Sequence, residues 1–274
     1  MRAKAGCVVA AASIAVSAAA PPLRLAIYYG YPSLVEQSSG DTARAAAVFG
    51  RYDAIVFGDG LELPEAETID AGLKGERQRI APLIRAIHDT PRRPLVYGYI
   101  ALGSTQNLTL TEIDRRVERW RLAGADGIFF DEAGRDFGVD AMRRRVAVCA
   151  AHGRGLRAFM NAFDPDDLFA ASRGTRNGCD GALGARDAIL IESFAVRNGI
   201  VQTPDAIDTR VTAALQWRQR TGVHVFAVTT AGDRPFSRDA FDAALKQAAS
   251  HGLDGFGWGE KNFSADSRLP WRYP

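Results

Sequence analysis

Several side chains that commonly mark a function are scarce in this sequence. Cysteine occurs three times, histidine four times and lysine only at positions 4, 74, 246 and 261. Three cysteines are too few for a disulfide-stapled miniprotein, and no Cys/His spacing matches a zinc site. The basic residues are almost all arginine and no block of like charge stands out, so the electrostatic footprint of a nucleic-acid-binding protein is missing. No apolar run approaches the roughly 20 residues of a membrane-spanning helix. A glycine-rich phosphate loop is missing too, because the first strand-like run ends in Tyr29-Gly30-Tyr31-Pro32. What is present is ordinary globular composition: 47% hydrophobic, 9% aromatic and 24% charged over 274 residues. That excludes disorder and collagen-like structure and is ample for a sizeable core.

The first nineteen residues read as a separate unit. Met1-Arg2-Ala3-Lys4 is short and positive, Ala5 to Val16 is apolar, and Val16-Ser17-Ala18-Ala19-Ala20 offers small residues for cleavage. That order is the pattern of a secretory signal peptide. Residues 1–19 are therefore expected to be removed, leaving residues 20–274 as one secreted or periplasmic domain. Positions 1 to 20 hold Arg2 and Lys4 and no acid, so the formal +2 of the whole chain becomes 32 basic against 32 acidic residues. Without Cys7, Cys149 and Cys179 remain. They either pair in an oxidising compartment, closing a loop of about 30 residues, or stay as a helix thiol and a loop thiol.

Past the signal, short apolar runs alternate with amphipathic stretches. The spacing predicts strands at Leu25–Tyr31, Ala54–Gly58, Pro94–Ala101, Gly127–Asp131, Arg157–Ala162, Ala188–Ser193, His224–Thr229 and Gly255–Gly259. Helices are expected at Thr42–Phe49, Glu76–His88, Leu110–Ala123, Val139–His152, Asp205–Thr221 and Ser237–His251, with a short, weak one near Asp164–Ala171. Thr109 to Glu112 matches a capping box, and Gly124 marks the end of the helix it opens. Eight such units in about 250 residues are the size and rhythm of an α/β fold of one kind, a single (β/α)8 TIM barrel. An open doubly wound sheet is the alternative.

A barrel of this kind carries its chemistry at the C-terminal ends of its strands. Those ends read Tyr29 and Tyr31, Asp59 and Glu62, Tyr97 and Tyr99, Asp131-Glu132, Asn161, Glu192, and Trp258 with Glu260. This is a ring of acids, amides and aromatics without histidine or cysteine. Gly127-Ile128-Phe129-Phe130-Asp131-Glu132 stops abruptly in two carboxylates, and Ile189-Leu190-Ile191-Glu192-Ser193 ends in one. Burying a carboxylate costs several kcal/mol unless it is paired or neutralised. Two acids in such surroundings suit glycoside hydrolysis, where one attacks or stabilises the anomeric carbon and the other protonates the leaving oxygen. Asp131, Glu192 and Glu132 are the candidate catalytic residues. Tyr31, Asp59, Tyr99, Asn161, Trp258 and Glu260 are candidates for binding substrate, the aromatics through the C–H faces of sugar rings.

The motifs Tyr-Gly-Tyr-Pro at 29–32, Gly-Ile-Phe-Phe-Asp-Glu at 127–132 and Leu-Ile-Glu-Ser-Phe at 190–194 resemble the spherulin-4-like glycoside hydrolases. Relatives of that family include the endo-α-1,4-polygalactosaminidases and the Pel polysaccharide hydrolase domain. The resemblance spans roughly residues 24 to 260. It implies a secreted barrel that cleaves internal α-1,4 bonds in polymers of galactosamine or N-acetylgalactosamine, with Asp131 as the strand-four catalytic aspartate, Glu132 as its acidic neighbour and Glu192 as the strand-six catalytic acid. No cofactor or metal is expected. The expected partner is an amino-sugar polysaccharide, without nucleic acid or stable membrane insertion, and the chain is expected to be a monomer. Two other readings stay open: a non-catalytic polysaccharide-binding barrel, and metal-assisted chemistry using Asp131, Asn161 and Glu192 as oxygen ligands.

Overall fold

The structure, a computed structural model, describes residues 20–58, 60–64, 67, 75–170, 178–197, 200–230 and 236–259. The signal segment 1–19, Asp59 and Glu260 lie outside the described residues. Eight parallel strands close into a barrel: β1 Leu23–Tyr28, β2 Ala54–Phe57, β3 Leu95–Ala101, β4 Gly127–Asp131, β5 Arg157–Asn161, β6 Ala188–Ile191, β9 His224–Thr230 and β10 Gly255–Gly259. Between β6 and β9 the chain inserts a two-stranded hairpin, β7 Val196–Arg197 with β8 Ile200–Val201, which the sequence pattern did not predict. The helices are α1 Thr42–Phe49, α2 Glu76–His88, α3 Leu110–Ala123, α4 Ala141–His152, α5 Pro165–Phe169, α6 Pro204–Thr221 and α7 Arg238–Ser250. This is the expected (β/α)8 barrel. Among the described residues, no helix is long and apolar enough to cross a membrane.

Local chemistry explains the element boundaries. Thr109 accepts a hydrogen bond from Glu112 N at 3.1 Å to open α3, and Gly124 ends that helix at φ 95°, a left-handed conformation that costs a side-chain-bearing residue more. Asp41, Asp140 and Ser237 cap α1, α4 and α7 in the same way as Thr109.

Alternation along the strands sorts the core into two layers. Leu25, Tyr97, Phe129, Phe159, Leu190 and Phe226 fill the barrel interior, while Ile55, Ile100, Phe130, Met160 and Phe256 face the helices. Inside, Phe159 meets Tyr97, Phe129 and Phe226 with ring centroids 5.3, 5.1 and 5.3 Å away. This apolar plug forms a floor beneath the C-terminal mouth.

The opposite face is closed by a device repeated four times. Asp53, Asp126, Asp187 and Asp254 each immediately precede a strand (β2, β4, β6 and β10). Each carboxylate accepts the backbone N–H of the second residue of a neighbouring strand: Arg24, Val96, Ala158 and Val225, at 2.8 to 2.9 Å. Each also meets a cation or an imidazole, from Arg92, His88, His152 and His224 respectively. Three of the four histidines are thus committed to the floor of the barrel, the face that serves stability rather than chemistry. That accounts for the lack of histidine at the mouth.

Cys149 on α4 and Cys179 are joined by a disulfide across 30 residues. It fastens the chain that follows α5 to the outside of the barrel.

Candidate active site

The interior positions of β4, β5 and β6 converge at the mouth. The register pairs Phe130 with Met160 and Asn161 with Leu190, which sets Asp131 beside Asn161 and Glu192 one pleat above Leu190. Asn161, 6% exposed, donates from Nδ2 to Asp131 Oδ1 at 2.7 Å. The backbone N–H of Glu132 donates to the same oxygen at 2.9 Å, and the Tyr99 hydroxyl donates to Asp131 as well. Burial raises the Asp131 carboxyl above the ordinary aspartate range, and these three donors work against the rise by favouring the ionised form.

Glu192 stands in a different environment. Crowding by protein, and then the neighbouring charge of Asp131, push its carboxyl up to about 7, while the Asn161 amide works in the opposite direction. Its outer surface is open at the mouth. The two acids therefore differ in their partners: three donors favour the ionised form of Asp131 against its burial, whereas among the described residues Glu192 meets only the Asn161 amide.

The loops behind both acids are held by arginines. Arg144 of α4 donates to the carbonyls of Ala133 and Val139 at 3.2 and 2.7 Å, fixing the turn after Asp131. Arg210 of α6 donates to the carbonyls of Glu192, Ser193 and Phe194 at 2.6, 2.8 and 3.2 Å. The residue after each acid adopts a left-handed backbone, Glu132 at φ 53° and Ser193 at φ 49°. Such conformations cost on the order of 1–3 kcal/mol and concentrate where geometry serves function. Neither arginine was legible as a site residue in the sequence, where both read as surface positions of amphipathic helices.

The structure gathers the expected residues selectively. Asp131, Asn161, Glu192 and Tyr99 come together. Tyr99 is steered by α3: Trp120 donates Nε1 to the Tyr99 carbonyl at 3.2 Å and lies flat on Gly98, where a Cβ would stand 2.0 Å from the indole. Tyr29 packs edge-on against Tyr99 with centroids 5.3 Å apart. Glu132 turns away from the pair: its Oε2 accepts from Thr105 N at 3.3 Å, against Gly103, where there is no room for a Cβ. Its charge reaches Asp131 only as a repulsion that helps raise that carboxyl.

Tyr31 does not share a strand face with Tyr29, because β1 ends at Tyr28 and Tyr31 opens the 3-10 turn Pro32–Gln37. Trp258 is also placed elsewhere. The barrel-facing positions of β10 are glycines, and a Cβ at Gly255 would stand 2.1 Å from the Phe226 ring inside the barrel. Trp258 therefore points outward, 4% exposed, against Phe241 and Phe236 at 5.8 and 5.7 Å. Glu62 is 3% exposed and pairs with Arg116 of α3. Among the described residues no group of three His, Cys, Asp or Glu side chains is arranged to hold a metal ion.

No protein-family model matches the chain, and no curated protein matches its sequence. Solved structures do match in shape. The glycoside hydrolase domain of PelA from Pseudomonas aeruginosa aligns at TM-score 0.54 and 14% identity, covering 90% of this chain and 99% of that one. A variant of the same domain aligns at TM-score 0.55 and 14% identity, covering 91% and 100%. The 3-dehydroquinate dehydratase of Geobacillus kaustophilus HTA426 aligns at TM-score 0.51 and 12% identity, covering 89% and 84%. At such identities the likeness is one of fold, and barrels of this fold serve many chemistries.

Proposed function

We propose that the chain is a glycoside hydrolase that uses Asp131 and Glu192 as its two carboxyl groups. The observation that carries this reading is their unequal provision with donors around one amide: Asp131 meets three and Glu192, among the described residues, the shared amide alone. Where neighbouring acids are so unequally provided with donors, the better-provided one suits the carboxylate's part and the other the proton donor's. The likeness in fold to a hydrolase domain over nearly its full length fits this reading.

In the proposed mechanism Glu192 gives its proton to the glycosidic oxygen as the C1–O bond breaks. An Asp131 oxygen bonds to C1, forming a glycosyl ester. Water then loses a proton to Glu192 and attacks C1, which releases the sugar and restores both acids. An amide that serves both carboxyls argues for the short separation, about 5–5.5 Å, that accompanies retention of anomeric configuration. Asn161 and Tyr99 favour the ionised form of Asp131 and align it.

The substrate class we propose is an α-1,4-linked polymer of galactosamine or N-acetylgalactosamine, met outside the cytoplasm by a monomeric enzyme. The test is a panel of α-1,4-linked amino-sugar polymers, read by reducing ends, product size and anomeric configuration. Glu192→Gln and Asp131→Asn should each remove nearly all turnover with unchanged circular dichroism. Unchanged turnover in either variant ends the assignment, and binding without release of reducing ends by the wild-type chain points to a carbohydrate-binding barrel instead.

A further inference from the structure

The rim between β5 and β6 carries an aromatic side chain and a cation that the mechanism does not use. Continuing the β5–β6 register, in which Asn161 pairs with Leu190, brings position 163 level with position 192. Phe163 also shares the parity of Phe159 and Asn161, the inward-facing positions of β5. It is 59% exposed, in contrast to the buried phenylalanines of the interior.

Arg197 comes from the other side of the gap. It lies on β7 of the hairpin that follows Glu192. The hairpin is anchored at its base, where Val196 N donates to Thr229 Oγ1 at 2.8 Å, Thr229 Oγ1 donates to Val196 O at 2.7 Å, and Gln202 N donates to Ala195 O at 2.9 Å. The guanidinium carbon stands 5.7 Å from the centre of the Phe163 ring, so the pair bridges the segments that follow Asn161 and Glu192. Among the described residues the exposed Arg197 side chain meets no carboxylate, and its guanidinium carries five N–H donors.

We propose that Phe163 and Arg197 form a sugar subsite beside the proton donor that selects an N-acetylated unit over a free-amine unit. This rests on the glycoside hydrolase reading. The exposed ring suits the C–H face of a pyranose. The guanidinium donates to ring hydroxyls and to the acetamido carbonyl, and it repels an ammonium group in the same place. The acids at the centre of the mouth have the opposite preference, so recognition along the polymer is mixed: cationic sugars are tolerated at the acids and an acetylated sugar is favoured at the rim.

The test uses the full chain and two probes, fully N-acetylated and fully de-N-acetylated α-1,4-galactosamine oligosaccharides of equal length. Phe163→Ala should raise KM about tenfold on both with kcat within threefold of wild type. Arg197→Glu should move the ratio of kcat/KM values about tenfold toward the free-amine substrate, and Arg197→Lys should keep the wild-type ratio. Values within twofold of wild type for Phe163→Ala and Arg197→Glu overturn the subsite and leave the hydrolase reading standing. Binding by calorimetry in a Glu192→Gln background reads selectivity without turnover. A wild-type chain that cleaves neither probe while that variant still prefers the acetylated one overturns the hydrolase reading and keeps the subsite, and binding of neither probe overturns both.

Discussion

Asn161 is the residue on which the two acids depend together, and its removal has a calculable outcome. Asn161→Ala deletes the 2.7 Å bond to Asp131 Oδ1 and the amide that faces Glu192. A hydrogen bond to a charged group contributes about 1.5–3 kcal/mol. At ~1.4 kcal/mol per decade, loss of that stabilisation in the transition state lowers kcat/KM by roughly 10–150-fold. The pH profile adds a second signature. The proposed mechanism needs Asp131 ionised, so the rate should fall on the acid side as pH drops through its pKa. It needs Glu192 protonated, so the rate falls on the alkaline side as pH rises through about 7. Asn161 favours the ionised form of both acids, so its loss raises both pKa values and moves both limbs of the bell to higher pH. The assay is initial rate against pH for wild type and variant, with thermal melting to confirm that the buried position is refilled without unfolding. A folded variant whose kcat/KM stays within twofold of wild type and whose bell does not move would refute this account of the site.

Other outcomes follow from the scaffold. Arg210→Met frees the carbonyls of Glu192, Ser193 and Phe194 and should lower kcat about tenfold or more with little change in KM, because it disturbs the proposed proton donor rather than sugar contacts. Replacing both Cys149 and Cys179 by serine opens a 30-residue loop and should cost about 3–4 kcal/mol in urea denaturation, with activity retained under native conditions. Asp187→Ala removes the acceptor for Ala158 N, Gly184 N and His152 and should cost about 2–4 kcal/mol at neutral pH. Burial alone would raise the Asp187 carboxyl, but His152 and the two N–H groups outweigh it and hold it below the ordinary range. Its stabilisation is therefore complete above the unfolded value of about 3.9 and fades as pH falls through the folded value, so the deficit of the variant should shrink below about pH 4.

Much of this was legible in the residue order. Strand β4 and helices α1, α2 and α3 run over the predicted residues, because period-two and period-3.6 patterning and the Thr109 cap are local properties. Asp131 and Glu192 announced themselves as charges ending apolar strands. Trp258 did not reveal its direction, because the outcome turned on parity. In Gly255-Phe256-Gly257-Trp258-Gly259 the close approach of neighbouring strands takes the glycine face inward, and a shift of one residue moves an aromatic to the other layer. Tyr31 was lost to the end of β1 three residues early, at a turn led by Pro32.

The sequence by itself determined the number and order of the βα units, the barrel class and the two acids that end strands. Each of these depends on contacts between residues near in sequence or on the composition of one strand. Only the tertiary structure decided which acid gathers more donors, that Asn161 serves both, that Arg144 and Arg210 fasten the loops behind them, and that three histidines belong to the barrel face opposite the mouth. Those facts arise where segments distant in the chain meet, and the protonation of a carboxyl depends on every donor, charge and solvent path around it.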